Sequence, residues 1–221
     1  MASLSLHSQL RHRFPNAFWQ GDPELREIAL TFDDGPHTRD TPALLALLDS
    51  LGVRASFFHV GVRAAAEPAL ARQVADAGHQ IGLHGYEHQS FLLKREEMLL
   101  EELARAQDVL AQATGREPAS FSAVRPPFGH FTPSILNALL AAGYLPTMWT
   151  LVPFHWLQPA ETTVRQVLNG VANGSILVLH ETLPGPAVLD LAASVLPRLI
   201  DAGYTFVTVQ ELWTNSQQKE P

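Results

Sequence analysis

Four separated segments break apolar runs with ionisable residues: Asp33-Asp34-Gly35-Pro36, His84-Gly85-Tyr86-Glu87-His88, Arg125-Pro126-Pro127-Phe128-Gly129 and His180-Glu181. Adjacent carboxylates such as Asp33 and Asp34 repel unless a cation or an arginine neutralises one of them. A bound cation would divide their work, one acid ligating and the other accepting a proton. The same residues also make good turn chemistry, so the segment alone leaves both readings open. His84 and His88 stand four apart, a spacing that sets both imidazoles on one side of a helix or tight loop. There they can share one ion, although such a pair also occurs as plain surface. Two histidines and one carboxylate leave coordination positions open for water and substrate, as a catalytic site requires. The order differs from His-Glu-x-x-His, because Glu87 immediately precedes the second histidine.

Arg125 is either a surface arginine on a rigid loop or a cation that orients a carboxylate. In the second case the stiff Pro126-Pro127 pair presents the N–H of Phe128 to a developing oxyanion. His180 ends the most apolar run of the chain. It reads as a satisfied barrel-mouth residue or, beside a metal and a carboxylate, as a general acid.

The elements that must position these groups are short apolar runs alternating with helical patterns. Strands are predicted near 28–32, 55–60, 80–83, 120–124, 145–150, 176–179 and 204–209. Helices are predicted after Thr41-Pro42, ending at Gly52, and between Pro68 and Gly78. Others fall over 94–113, 133–142, 162–171 and 186–202. Thr41 as N-cap, Pro42 at the first helical position and Gly52 past the end punctuate the first of these. The strands lack period-two alternation, which suits a parallel sheet covered on both faces. About seven β/α repeats with short connections predict an α/β fold, a single deformed parallel (β/α) barrel, with an open doubly wound sheet as competitor. Residues 1–221 read as one domain with its core over about 28–209, without linker, repeat or low-complexity segment. In such barrels chemistry sits at the carboxyl ends of the strands, where all four segments fall.

The chain has 221 residues, 46% hydrophobic and 17% charged, an ordinary globular balance. A formal net charge of −7 offers no field for nucleic acid or an anionic membrane surface. With no cysteine, disulfides, thiolate zinc sites and thiol nucleophiles are excluded. No apolar run reaches membrane-spanning length, and the amino terminus lacks a run of signal-peptide length. The chain as written therefore reads as cytoplasmic, and as secreted if a leader has been lost.

Thr31-Phe32-Asp33-Asp34-Gly35-Pro36, His84-x-x-x-His88, Arg125-Pro126-Pro127-Phe128-Gly129 and Leu177-Val178-Leu179-His180, in that order, resemble the motifs of the polysaccharide deacetylases. These are carbohydrate esterase family four, with the NodB homology domain, and the resemblance spans about 28–209. It implies a deformed β/α barrel that deacetylates N- or O-acetylated sugars. It implies that Asp34, His84 and His88 hold one divalent metal, usually zinc, with cobalt, manganese and nickel as other candidates. Asp33 would be the base, held by Arg125, and the Phe128 N–H would help stabilise the oxyanion. His180 would protonate the leaving group, and Leu179 would pack on the acetyl methyl.

The chain departs from the family pattern in three places. Gly85 stands where the family usually has Ser or Thr. Its fourth motif, typically Trp-x-x-Asp-x-x-Asp-Trp, here reads Trp149-Thr150-Leu151-Val152-Pro153-Phe154-His155-Trp156. Val152 and His155 replace both aspartates, while Trp149 and Trp156 remain as sugar-stacking surfaces. Glu181 replaces the usual Asp after the last histidine. The expectation is a working metal site with a retuned acid, acting on an acetylated glycan or oligosaccharide containing N-acetylglucosamine, with His155 lining the groove. Hydrolysis of another carbon–nitrogen bond, as in a deformylase or a cyclic amidase, is the alternative. A non-catalytic glycan-binding module is the third reading.

Overall fold

The computed structural model describes residues 6–182 and 188–218. Among the described residues, seven parallel strands alternate with helices: β1 (Glu27–Gly35), β2 (Ser56–His59), β3 (Gln80–Leu83), β4 (Ala123–Val124), β5 (Leu145–Pro146), β6 (Ser175–His180) and β7 (Thr205–Val207). They form one sheet in the order β5-β4-β3-β2-β1-β6, with β7 paired to the first residues of β1. The sheet curls until its far edges meet, through a bridge between Leu151 and Leu177. The expected deformed barrel is thus the fold, and the open-sheet competitor falls.

The closure differs from the expected fifth strand over 145–150. Pro146 lacks an N–H, which ends regular pairing there. Thr147 then bridges Phe18, and the Thr150 N–H donates to the Ile176 carbonyl at 3.0 Å. Changing partners within four residues leaves an irregular stave instead of a strand. Phe18 also fills the wall with a segment ahead of β1 that sequence periodicity did not reveal.

The helices are α1 (Leu6–Arg13), α2 (Asp40–Leu51), α3 (Gly61–Ala66), α4 (Pro68–Asp76), α5 (Glu96–Thr114), α6 (Pro133–Ala141), α7 (Ala160–Gly170), α8 (Val188–Asp201) and α9 (Val209–Gln217). α1, α3 and α9 are additions to the predicted set. The predicted start of α8, at Pro186, lies outside the described residues. α2 begins at Asp40, so Thr41 is not its N-cap. The Thr41 hydroxyl instead accepts from the His37 N–H and donates to Glu181 Oε2, which draws it inward.

Strand alternation separates two apolar layers. Leu30, Phe32, Phe57, Leu177 and Leu179 pack outward, in one cluster with Leu44, Leu48, Leu99 and Leu103 of the helices. Ala29, Phe58, Ala123 and Ile176 form a separate inner cluster. Of the residues that follow on the inner side, Thr31, Asp33 and His180 are polar, so the barrel interior turns from core into site along its own strands.

Candidate active site

Asp33 of β1 lies in register with His180 of β6. On its other side β1 breaks register with β2 between Asp33 and Gly35, so Asp34 sits at a bulge with φ of 71°. A bulge re-aims the side chain it carries. Adjacent residues on an unbroken strand would face opposite ways; the bulge lets both carboxyls reach one pocket. Arg63 fixes the turn by donating to the Asp34 carbonyl.

Arg125 is fully buried, and its guanidinium stacks on the Phe58 ring with Cζ 4.0 Å from the centroid. Nη1 donates to Asp33 Oδ1 at 2.6 Å and to Thr31 Oγ1 at 2.7 Å; Nη2 donates to the Met148 carbonyl at 3.1 Å. Burial alone pushes the guanidinium pKa down, while Asp33 opposes that change. The surface-arginine reading of the sequence is excluded.

His84 and His88 occupy a loop, with φ of 54° at His88. His84 Nδ1 donates to the Arg125 carbonyl at 2.7 Å, which leaves Nε2 of the neutral ring with a bare lone pair. That atom is 3.4 Å from Asp34 Oδ1, and His88 Nε2 is 3.0 Å from the same oxygen. The three ligand atoms lie within 4.8 Å of one another. Asp34 Oδ1 is buried and accepts no well-formed hydrogen bond. Three electron-rich atoms facing one point call for a cation, so the donor set fits a divalent metal. Burial raises the Asp34 carboxyl pKa, but the close approach of the His84 and His88 rings outweighs it and holds the group well below the usual carboxylate range. The His84–Arg125 contact also supplies the orienting bond that ligand histidines require.

A cavity of about 470 Å³ opens over this centre, lined by Asp33, Asp34, His84, His88 and His180, with Phe128, Trp149 and Trp156 among its walls. Gly129 lies so close under Trp149 that a Cβ there would collide with the indole. Trp156 meets His180 edge-on at 4.7 Å between ring centroids. Burial lowers the His180 pKa, with Asp33 and Asp34 partly offsetting it.

Two expected site residues are elsewhere. Leu179 is fully buried in the outer core, because neighbours on a strand face opposite sides; Val178 lines the pocket instead. The signal was available, since Val178 is two residues before His180. His155 is 1% exposed and turned beneath the wall, where Nε2 accepts the His180 backbone N–H at 3.2 Å. It supports the His180 strand end and does not line the groove. Val152 and Phe154 of the same segment do line it.

An imidazole–carboxylate cluster at the carboxyl ends of parallel barrel strands is the frame of a hydrolytic enzyme. Residues 20–147 match the model of the polysaccharide deacetylase family. A peptidoglycan-N-acetylglucosamine deacetylase of Bacillus cereus is 33% identical over 198 residues, 88% of this chain and 91% of that protein. Among solved structures, a peptidoglycan N-acetylglucosamine deacetylase is 27% identical with a TM-score of 0.85, covering 92% of this chain and 95% of that one. A family 4 acetyl xylan esterase from Clostridium thermocellum, in complex with a cobalt ion, is 31% identical with a TM-score of 0.76, covering 85% and 90%. The chain belongs to the polysaccharide deacetylase family, and its named deacetylase relatives hydrolyse acetyl amide or ester bonds.

Proposed function

We propose that this chain is a metal-dependent deacetylase that removes acetyl groups from an N-acetylglucosamine-containing glycan. One observation carries the reading. Asp34, His84 and His88 converge on one point, while Arg125 engages Oδ1 of the neighbouring Asp33 and leaves its Oδ2 3.9 Å from His84 Nε2, so ligand and base are separate groups at one centre. Asp34, His84 and His88 would hold the ion, with zinc best suited to two imidazoles and one carboxylate. When bound, the ion supplies a Lewis acid and makes water more acidic.

The residues of the chain do the rest. Asp33, oriented by Arg125, takes a proton from the attacking water. The Phe128 N–H donates to the oxygen that gains charge as the carbonyl is attacked. His180 gives a proton to the departing amine as the carbon–nitrogen bond breaks, and acetate leaves with the new carbon–oxygen bond. Val178 and Trp149 bound the space for the acetyl methyl, and Trp149 and Trp156 offer faces to a sugar ring.

Acetate release from chito-oligomers, acetylxylan and an aryl acetate, with Zn²⁺, Co²⁺ or Mn²⁺ added, tests the reading. Metal-dependent release from chito-oligomers is expected. No release from any of the three with an ion bound would contradict it.

A further inference from the structure

Among the lining residues of the pocket, Asp33, Asp34, His84, His88 and His180 belong to the chemical centre, and the indole N–H groups of Trp149 and Trp156 are the other side-chain donors. The rest of the wall is Pro126, Phe128, Gly129, Trp149, Val152, Phe154, Trp156 and Val178. A long glycan presents hydroxyls on every ring, and hydroxyls that lose water need partners. This wall supplies stacking faces and few other attachments.

Two of these walls are held in place at a cost. Phe128 has φ of 60° and Phe154 φ of 48°, a region that L side chains rarely adopt. Both rings face solvent, with exposures of 60% and 44%. Strained backbone persists where surrounding structure imposes it, and it clusters at ligand clamps. Phe128 packs edge-on against His88 at 4.8 Å, so it stands on the side of the metal-ligand triad. Phe154 packs against Trp156 at 5.5 Å, and Trp156 against His180, so that wall stands on the side of the leaving group. Leu157, 73% exposed, extends the same segment in apolar form.

We infer that the Val152–Phe154–Trp156 wall selects substrates whose leaving amine or amino sugar carries an apolar alkyl or aryl substituent, in preference to long unsubstituted glycan chains. This rests on His180 being the proton donor, since that places the leaving group against Trp156. An alkyl chain or aromatic ring laid along this wall leaves no hydroxyl without a partner, and its burial is favourable in proportion to the apolar area covered.

The test compares kcat/KM for N-acetylglucosamine, its octyl β-glycoside and N-acetylchitopentaose, using zinc-loaded protein. The octyl glycoside is expected to exceed the free sugar by about tenfold or more, and to exceed the pentamer. Phe154→Ala should lower turnover of the octyl glycoside about tenfold more than that of the pentamer. A pentamer preferred over the octyl glycoside, or a Phe154→Ala effect equal on both, would overturn the inference. Octyl glycoside binding, followed by intrinsic tryptophan fluorescence, separates this from failure of the deacetylase reading. Saturable binding that Phe154→Ala weakens, without turnover of any acetylated probe, sinks the deacetylase reading and supports the apolar wall. Absence of saturable binding sinks the apolar wall, whatever the turnover.

Discussion

Arg125 Nη1 stands 2.6 Å from Asp33 Oδ1, and neither side chain is more than 3% exposed. A buried ion pair contributes little net stability, but breaking it leaves a charge without a partner. Here the pair also ties up one oxygen of Asp33, and Asp34 is the carboxylate that lies nearer the histidines.

Replacing Arg125 with Lys keeps the charge but loses the fork that spans Asp33, Thr31 and the Met148 carbonyl. We expect kcat for acetate release to fall about 100-fold, with metal affinity changed much less. Steady-state kinetics and a metal titration on the same preparation check this. Equal losses in both would show that Arg125 acts on the metal site and not on the base.

Val178 and Leu179 separate the two faces of β6. Leu179→Ala should cost about 2–5 kcal/mol of stability through the cavity it leaves in the outer core, with KM little changed. Val178→Ala should instead raise turnover of an N-propionyl substrate relative to N-acetyl, because it enlarges the site. Denaturant melts paired with both kinetic measurements distinguish them, and a large KM change in Leu179→Ala would restore it to the acetyl pocket.

Glu181 is buried beside Gly35, and that burial pushes its pKa from an ordinary 4.5 up to about 8. The folded state holds this proton more tightly than the unfolded one. Its contribution is fully present below pH 4.5 and is lost as pH rises towards 8. Glu181→Gln cannot ionise, so its stability should fall less than that of the wild type between pH 5 and pH 8. Urea melts at about those two values check this, and parallel profiles would contradict it.

His59, at the end of β2, titrates with the opposite sign. Burial lowers its pKa from 6.5 to about 3, so the unfolded chain binds the proton first. Stability should fall as pH drops from 6.5 towards 3. His59→Leu should flatten that acid limb, and an unchanged limb in urea melts would contradict the assignment.

The barrel and the chemical centre were legible because both rest on short-range signals. Apolar runs ending in Asp33-Asp34, Arg125 or His180 announce strand ends, and the His84–His88 spacing survives any loop geometry. The bulge at Asp34 was not legible, since it depends on how β1 registers against β2. The inward face of β6 follows from alternation back from His180, which selects Val178, whereas the family resemblance points to Leu179. The burial of His155 is not legible either, because a histidine within an aromatic stretch carries no periodic signal for burial. The stave at 147–151 departs from the strand that its sequence predicts because its hydrogen bonds go first to Phe18 and then to Ile176, contacts set by closure alone.

Stoichiometric metal binding by the Asp34, His84, His88 centre, and its coupling to turnover, is the most direct measurement. Chelator-treated protein titrated with Zn²⁺ should take up one ion per chain, with acetate release from chito-oligomers returning in proportion. His84→Ala should abolish both together. Acetate release that persists in the chelated protein, or in a His84→Ala variant without bound ion, would contradict the account.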